Sequence, residues 1–372
     1  MRYLMDRYWS LQKVSRPVKA VSFFNPFFLI FILFFYLAGC TPPELPDIVW
    51  PLYPDPPRIK FIRSFKNARG VAGLSTKDIL LGAEPMSTFI KPYGLHVDKW
   101  GRIYVSDTVR GLVSIMNLDT QETITLGTGR IAFSKPMGVA TDSLGRIYVT
   151  DSLTTKIYVF QRDGRFFTIY GKEGDLIRPV GIAINNELKR IYVADIRKHK
   201  LVVFDLNNGK YLFDISRRGS APGDLNMPSN LALSSKGNIY VTDFNGRVTV
   251  FNPDGKFLRI IGRYGDNIGD FARPKGLAFD QYDHLYVTDA AFNNVQIFDE
   301  KGNVLMAFSS YGAGRGQMIL PAGIAIDKQD RIYVADQWNQ RVNMFQFLSE
   351  RYKKEHPEEM KKLEEFGKLP EY

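Results

Sequence analysis

The chain has 372 residues, a formal charge of +10, 45% hydrophobic and 13% aromatic side chains, and one cysteine. The apolar fraction is ample for a packed interior, the aromatics suit strands, and the length does not demand two cores. A single cysteine excludes any stabilising disulfide within the chain.

Residues 1–39 read as an export leader. Arg2, Arg7, Lys13, Arg16 and Lys19 precede an apolar run at residues 27–36, with Asp6 the one acid. That run has the length of a signal-peptide core and falls short of the about 20 residues that span a bilayer. Leu37, Ala38, Gly39 and Cys40 follow at once. The order resembles the lipobox of bacterial lipoproteins. The resemblance implies that the Cys40 sulfur receives a diacylglycerol, that the chain is cut before it, and that the new amino group is acylated. The competing reading is an uncleaved anchor with a coincidental cysteine. Two or three acyl chains, at about 0.8 kcal/mol per buried methylene, would hold firmly. Thr41 is not the Asp that favours inner-membrane retention in enteric lipoproteins. The expected location is therefore exported and membrane-anchored, at the outer membrane where a cell has two. Losing five basic residues and one acid with the leader takes +10 to +6. That charge suits solubility or an anionic surface partner.

Residues 40–57 carry prolines 42, 43, 46, 51, 54, 56 and 57, which predicts a polyproline tether from Cys40. Residues 59–65 then resemble a strand found later in the chain, at 256–261. The apolar run at residues 79–81 suggests a loop or short helix capping one end of a channel.

From Pro92 a pattern repeats six times. Each copy runs Pro-x-Gly-apolar-Ala-apolar, then a polar turn, then Ile/Leu-Tyr-Val-x-Asp. The copies begin at Pro92, Pro136, Pro179, Pro228, Pro274 and Pro321 and close at Asp107, Asp151, Asp195, Asp243, Asp289 and Asp336. The closing aspartates are 44, 44, 48, 46 and 47 residues apart, a spacing that marks a repeat architecture. Within a copy the apolar period is two, with Asp and Gly or Asp at the turns, so two strands form a hairpin. A third strand follows each aspartate and a fourth follows an Asp-Gly-type turn, as at Asp163-Gly164. No helical period occurs across residues 92–347. A four-stranded sheet cannot bury both of its faces alone, but six arranged radially can. The predicted fold is thus all-β: a six-bladed β-propeller of four-stranded antiparallel blades. The sixth copy stops after its third strand, so the N-terminal strand near Phe61 is expected to close the ring. The propeller then spans residues 58–347.

The Pro-x-Gly-Ile-Ala-x-Asp and Ile-Tyr-Val-x-Asp segments, with Asn339-x-Arg341-Val342, resemble NHL repeats. The match covers all six copies, with departures at His96, which replaces Ala, and Asn230, which replaces Gly. Blade three carries an extra residue near Asn186. The wider NHL-like class includes a zinc-dependent amidating lyase with several channel histidines. Here His96, His199 and His284 fall at three different places in their repeats, which disfavours a shared metal, and none is expected. A lactonase-like calcium site lacks its glutamate on every first strand. No cofactor is expected.

The repeated aspartates and tyrosines predict a structural task in every blade, the aspartates tying loops through backbone N–H groups. Departures from symmetry point to function. His96 is a candidate channel residue. The loops between second and third strands should share one face. They carry Arg110, Lys156, Arg197, Lys198, Lys200, Arg247 and Arg341, with Phe292 and Trp338 among them. Solvated charge and a recognition face for a protein or anionic envelope partner are the two readings. NHL rings in some cytoplasmic proteins bind RNA, which an exported protein would not meet, so no nucleic acid is expected. The glycines of 312–316 lie between strands and open no helix, so they read as an interblade loop, not a phosphate loop.

Residues 348–372 turn charged and helical, with Pro357 able to start a helix and Gly367 and Pro370 to end it. The whole predicts a lipid-anchored, monomeric ring acting as a non-catalytic binding or scaffold module. The competing reading is a metal-dependent lyase or lactonase with its site at the channel.

Overall fold

The computed structural model describes residues 46–52, 54–67, 89–129 and 131–366. The expected leader, the Leu37-Ala38-Gly39-Cys40 motif, most of the 40–57 tether before Pro46, the 79–81 run and residues 367–372 lie outside them. Among the described residues, two strands precede the repeats: β1 (Val49–Trp50) and β2 (Ile59–Phe65). Blade one is β3 (Pro92–Val97), β4 (Arg102–Asp107), β5 (Leu112–Asn117) and β6 (Thr123–Leu126). Blade two is β7 (Pro136–Thr141), β8 (Ile147–Asp151), β9 (Lys156–Phe160) and β10 (Phe166–Tyr170). Blade three is β11 (Pro179–Asn185), β12 (Arg190–Asp195), β13 (Lys200–Asp205) and β14 (Tyr211–Ile215). Blade four is β15 (Asn230–Leu233), β16 (Ile239–Asp243), β17 (Arg247–Phe251) and β18 (Phe257–Ile261). Blade five is β19 (Pro274–Phe279), β20 (Leu285–Asp289), β21 (Asn294–Phe298) and β22 (Val304–Phe308). Blade six has β23 (Pro321–Ile326), β24 (Arg331–Asp336) and β25 (Arg341–Phe347).

All neighbouring strands within each blade pair antiparallel, in simple meander order. The ring closes as its sequence implies. Strand β2 pairs with β25, Ile59 opposite Phe347, Phe61 opposite Phe345 and Phe65 opposite Val342. The last blade therefore takes its fourth strand from the start of the ring. One feature departs from expectation. Within the proline-rich stretch, β1 adds a fifth strand outside β2, Val49 opposite Lys60. Ile48 and Trp50 are apolar enough to pack against blades five and six, and the Trp50 ring lies 6.0 Å from Phe308 and 5.8 Å from Phe345. Burial of that ring outweighs the extended preference of the flanking prolines, so residues 49–50 belong to the ring and not to a free tether.

Core packing lies between blades. Six apolar clusters each draw on two neighbouring blades; the one that joins blade six to blade one contains Val342, Tyr333, Ile103 and Val105. The second strands are sandwiched on both faces, which is why Ile-Tyr-Val reads as an unbroken apolar run. At the axis, the glycine of Pro-x-Gly has a steric role. A Cβ on Gly138 would sit 2.5 Å from Val180 O, and one on Gly323 would sit 2.3 Å from Tyr93 O. Glycine lets each inner strand approach the next blade's backbone. A hydroxyl on the second strand stitches the same contact. Gly138 N donates to Thr150 Oγ1 (2.9 Å), which donates to Val180 O of the next blade (2.5 Å). Ser106, Thr242 and Thr288 likewise reach the next blade's carbonyl.

The C-terminal extension forms two helices, α1 (Glu350–Glu355) and α2 (Pro357–Phe366). Ser349 caps α1 by accepting from Tyr352 N, and Pro357 opens α2. Met360 and Leu363 pack on Leu348 and Val49, and Glu359 meets Lys60 at 2.7 Å. The helices thus brace β1 and β2.

Candidate functional site

The meander gives the ring two unlike faces. One carries the closing aspartates, the loops after them and the interblade loops; we call it the aspartate face. The other carries the turns between first and second strands; we call it the turn face.

On the aspartate face, each closing aspartate accepts from the backbone of the preceding interblade loop. The donors are Ile90 N to Asp107 (2.6 Å), Ser134 N to Asp151 (2.7 Å), Ile177 N to Asp195 (2.7 Å), Asn226 N to Asp243 (3.0 Å), Ala272 N to Asp289 (2.9 Å) and Ile319 N to Asp336 (3.0 Å). In five blades the same carboxylate also accepts from the loop that follows it, as Leu153 N and Thr154 N do on Asp151. The aspartates are loop clamps.

The nine residues expected on a binding face all fall on this side, but they do different things. Arg247 and Arg341 are buried. Arg247 donates to Ser220 O, Ala221 O and Asp224 O. Arg341 pairs with Asp336 at 2.9 Å and donates to Ala313 O, Gly314 O and Gln317 O. Both guanidiniums are spent on interblade loops, including the glycine loop of 312–316. Lys156 donates to Gly171 O (2.7 Å) and Lys200 pairs with Asp214 (3.0 Å). Phe292 and Arg110 are half-buried. Arg197 is exposed, Lys198 is partly so, and Trp338 is 69% exposed. Sequence reasoning missed their apolar company. Val109, Leu153 and Phe244 occupy the corresponding loops of blades one, two and four, and Phe244 is 69% exposed. Ile90, Ile177 and Met227 are exposed on the interblade loops beside them. The signal was available: an apolar residue one or two places after the aspartate, where a solvated loop would carry a polar one.

The turn face holds a second repeated device. Asp98 caps Trp100 N and Arg102 N and takes Arg102 Nε (2.7 Å) and the Tyr104 hydroxyl (2.9 Å). Asp142 with Arg146 and Tyr148, and Asp327 with Arg331 and Tyr333, repeat it; in Asp280 with Tyr286 the arginine is replaced by His284 at 2.8 Å. Burial pushes the Asp98 carboxyl up, but the hydrogen bonds from Arg102 and Tyr104 outweigh it and hold the carboxyl below its ordinary value. The Asp280 hydrogen bond raises His284 above the ordinary histidine value.

The axial channel is a cavity of about 300 Å³ walled by the six first strands. His96 lines it, its Nε2 2.8 Å from Thr141 Oγ1 of the next blade. Burial lowers its pKa to about 4, with Arg102 adding to the effect and Asp98 opposing it. The ring is neutral at pH 7. His199 Nδ1 accepts from Met227 N on the aspartate face, while His284 belongs to the turn face. The three histidines are thus far apart in the fold, and no metal-sized group of His, Cys, Asp or Glu gathers among the described residues.

A family model described as 6-bladed beta-propeller matches residues 97–216, 176–247 and 277–363. The chain belongs to that family. No curated protein matches by sequence. Solved structures share the fold. A protein of unknown function from Bacteroides thetaiotaomicron is 17% identical, with a TM-score of 0.57 over 70% of each chain. An auxiliary nutrient binding protein from the same organism is 13% identical, with a TM-score of 0.56 over 69% of each. Virginiamycin B lyase from Staphylococcus aureus is 16% identical, with a TM-score of 0.51 over 69% of this chain and 95% of its own.

Proposed function

We propose that this propeller is an exported, lipid-anchored binding module of NHL type that captures a protein partner through its aspartate face. The observation that carries the reading is the set of exposed Trp338, Phe244, Leu153 and Val109 on loops held rigid by clamped aspartates, with Arg197 and Lys198 beside them. Exposed aromatic and apolar groups rimmed by cations are the chemistry of a protein interface, and rigid loops lower the ordering cost of binding. The likeness to a nutrient binding protein supports a binding role. The likeness to a lyase keeps catalysis in view, but the histidines of this chain do not converge on the channel.

In membrane fractions, Cys40→Ser should move the protein to the soluble fraction; retention would favour an uncleaved anchor. For the face, Phe244→Ala with Trp338→Ala should abolish capture of envelope proteins by the acylated chain without moving the melting temperature. Arg197→Glu with Lys198→Glu should weaken it. Unchanged capture in both variants discards this face.

A further inference from the structure

A cleft of about 290 Å³ lies on the turn face, on the opposite side from the recognition loops and independent of them. Its inner wall is aromatic. Phe347, Tyr282 and His284 meet with ring centroids 6.2, 6.1 and 6.0 Å apart. Phe347 stands at 80° to Tyr282 and 87° to His284, while Tyr282 and His284 are tilted by 39°. The rings form a corner rather than a stack. Tyr282 nevertheless remains 47% exposed, so one large ring is offered to solvent inside a concave site. The proline-rich segment supplies the other wall through Pro56, Pro57 and Arg58, and α1 supplies Lys353.

The polar atoms around this corner are unevenly used. His284 Nδ1 is held by Asp280 and Lys353 is paired with Glu350 at 2.8 Å. The Arg58 guanidinium, the Tyr282 hydroxyl and His284 Nε2 make no hydrogen bond within the described residues, although all three residues line the cleft. Among the described lining residues the carboxylate is Glu350, which Lys353 pairs with and Arg58 also attracts. The balance is an apolar corner with a cationic, donor-rich rim. The volume is at the small end of ligand sites, near about 300 Å³, which suits a single ring with its substituents.

We propose that this cleft binds an acidic monosaccharide, its C–H face against Tyr282 and Phe347 and its carboxylate on Arg58. The slightly positive C–H groups of a pyranose complement the negative face of an aromatic ring. A guanidinium binds a carboxylate through two parallel hydrogen bonds. Sugar hydroxyls use donors and acceptors at several heights, as the Tyr282 hydroxyl and His284 Nε2 provide. A flat aromatic acid would engage Arg58 and leave these two idle.

The test is calorimetric titration of the detergent-solubilised full chain with methyl β-glucuronide and methyl β-glucoside. We expect saturable binding of the glucuronide, with the glucoside about tenfold weaker for want of the charge-assisted pair. Arg58→Met should bring the glucuronide down to the glucoside, and Tyr282→Ala should weaken both. Both side chains are exposed, so neither change threatens the fold. No saturable binding of glucuronide to the native chain, equal affinity for the two sugars, or unchanged affinity in both variants would overturn the assignment. Binding here should also survive the Phe244 and Trp338 changes, which separates it from the aspartate face.

Discussion

The six closing aspartates each accept backbone N–H groups from the interblade loop that precedes them. Asp151 alone accepts from Ser134, Lys135, Leu153 and Thr154 backbone N–H groups and is fully buried. Asp151→Ala strands these donors and should cost about 2–4 kcal/mol, measured by chemical denaturation. A second residue-scale effect concerns His96. Its ordinary pKa of 6.5 falls to about 4 in the folded ring, so the folded state binds fewer protons than the unfolded one between these values. Stability from this group is present above pH 6.5 and is lost as the pH falls toward 4. His96→Gln should flatten the stability–pH curve in that interval; an unchanged slope would mean that His96 is not held neutral by burial. Asp98 works at lower pH with a related outcome. Its depressed carboxyl contributes stability above its ordinary 3.8 and loses it on further acidification.

At the scale of elements, the repeats were legible and the extensions were less so. Pro-x-Gly, Tyr-Val-x-Asp and the Asp turns each state a local requirement, so period, strand order and blade count follow from them. The partnership of β2 with β25 was legible too, because the sixth repeat lacks a fourth strand. Strand β1 was not, since seven prolines in residues 40–57 favour an extended tether and only a partner surface for Trp50 changes the balance. That surface exists only when blades five and six are side by side. Trp50→Ala should lower stability by about 2 kcal/mol, less than full truncation of a buried ring because Trp50 is only partly buried. Deleting residues 47–65 should go further and abolish cooperative unfolding, since β2 belongs to the sheet that closes the ring. A truncated chain that still unfolds in one sharp transition would contradict that role.

For the whole molecule, the division of labour between faces was partly visible in advance. Charges on the loops after each aspartate could be counted, but which of them were free could not. Arg247 and Arg341 look like Arg197 in sequence, yet both turn inward to loop carbonyls that come from residues 23 to 28 positions earlier. The exposed apolar residues one or two places after the aspartates were readable one by one, but the cleft beside Tyr282 had no local signature, because it is assembled from blade five, the end of β25 and both chain extensions. The sequence alone determined a six-fold strand repeat, because alternation, turn chemistry and a regular spacing are local and each copy repeats the same demand. Tertiary structure decided which repeated side chains are spent on packing and which remain to meet a ligand, since that depends on neighbours brought together only when the ring closes.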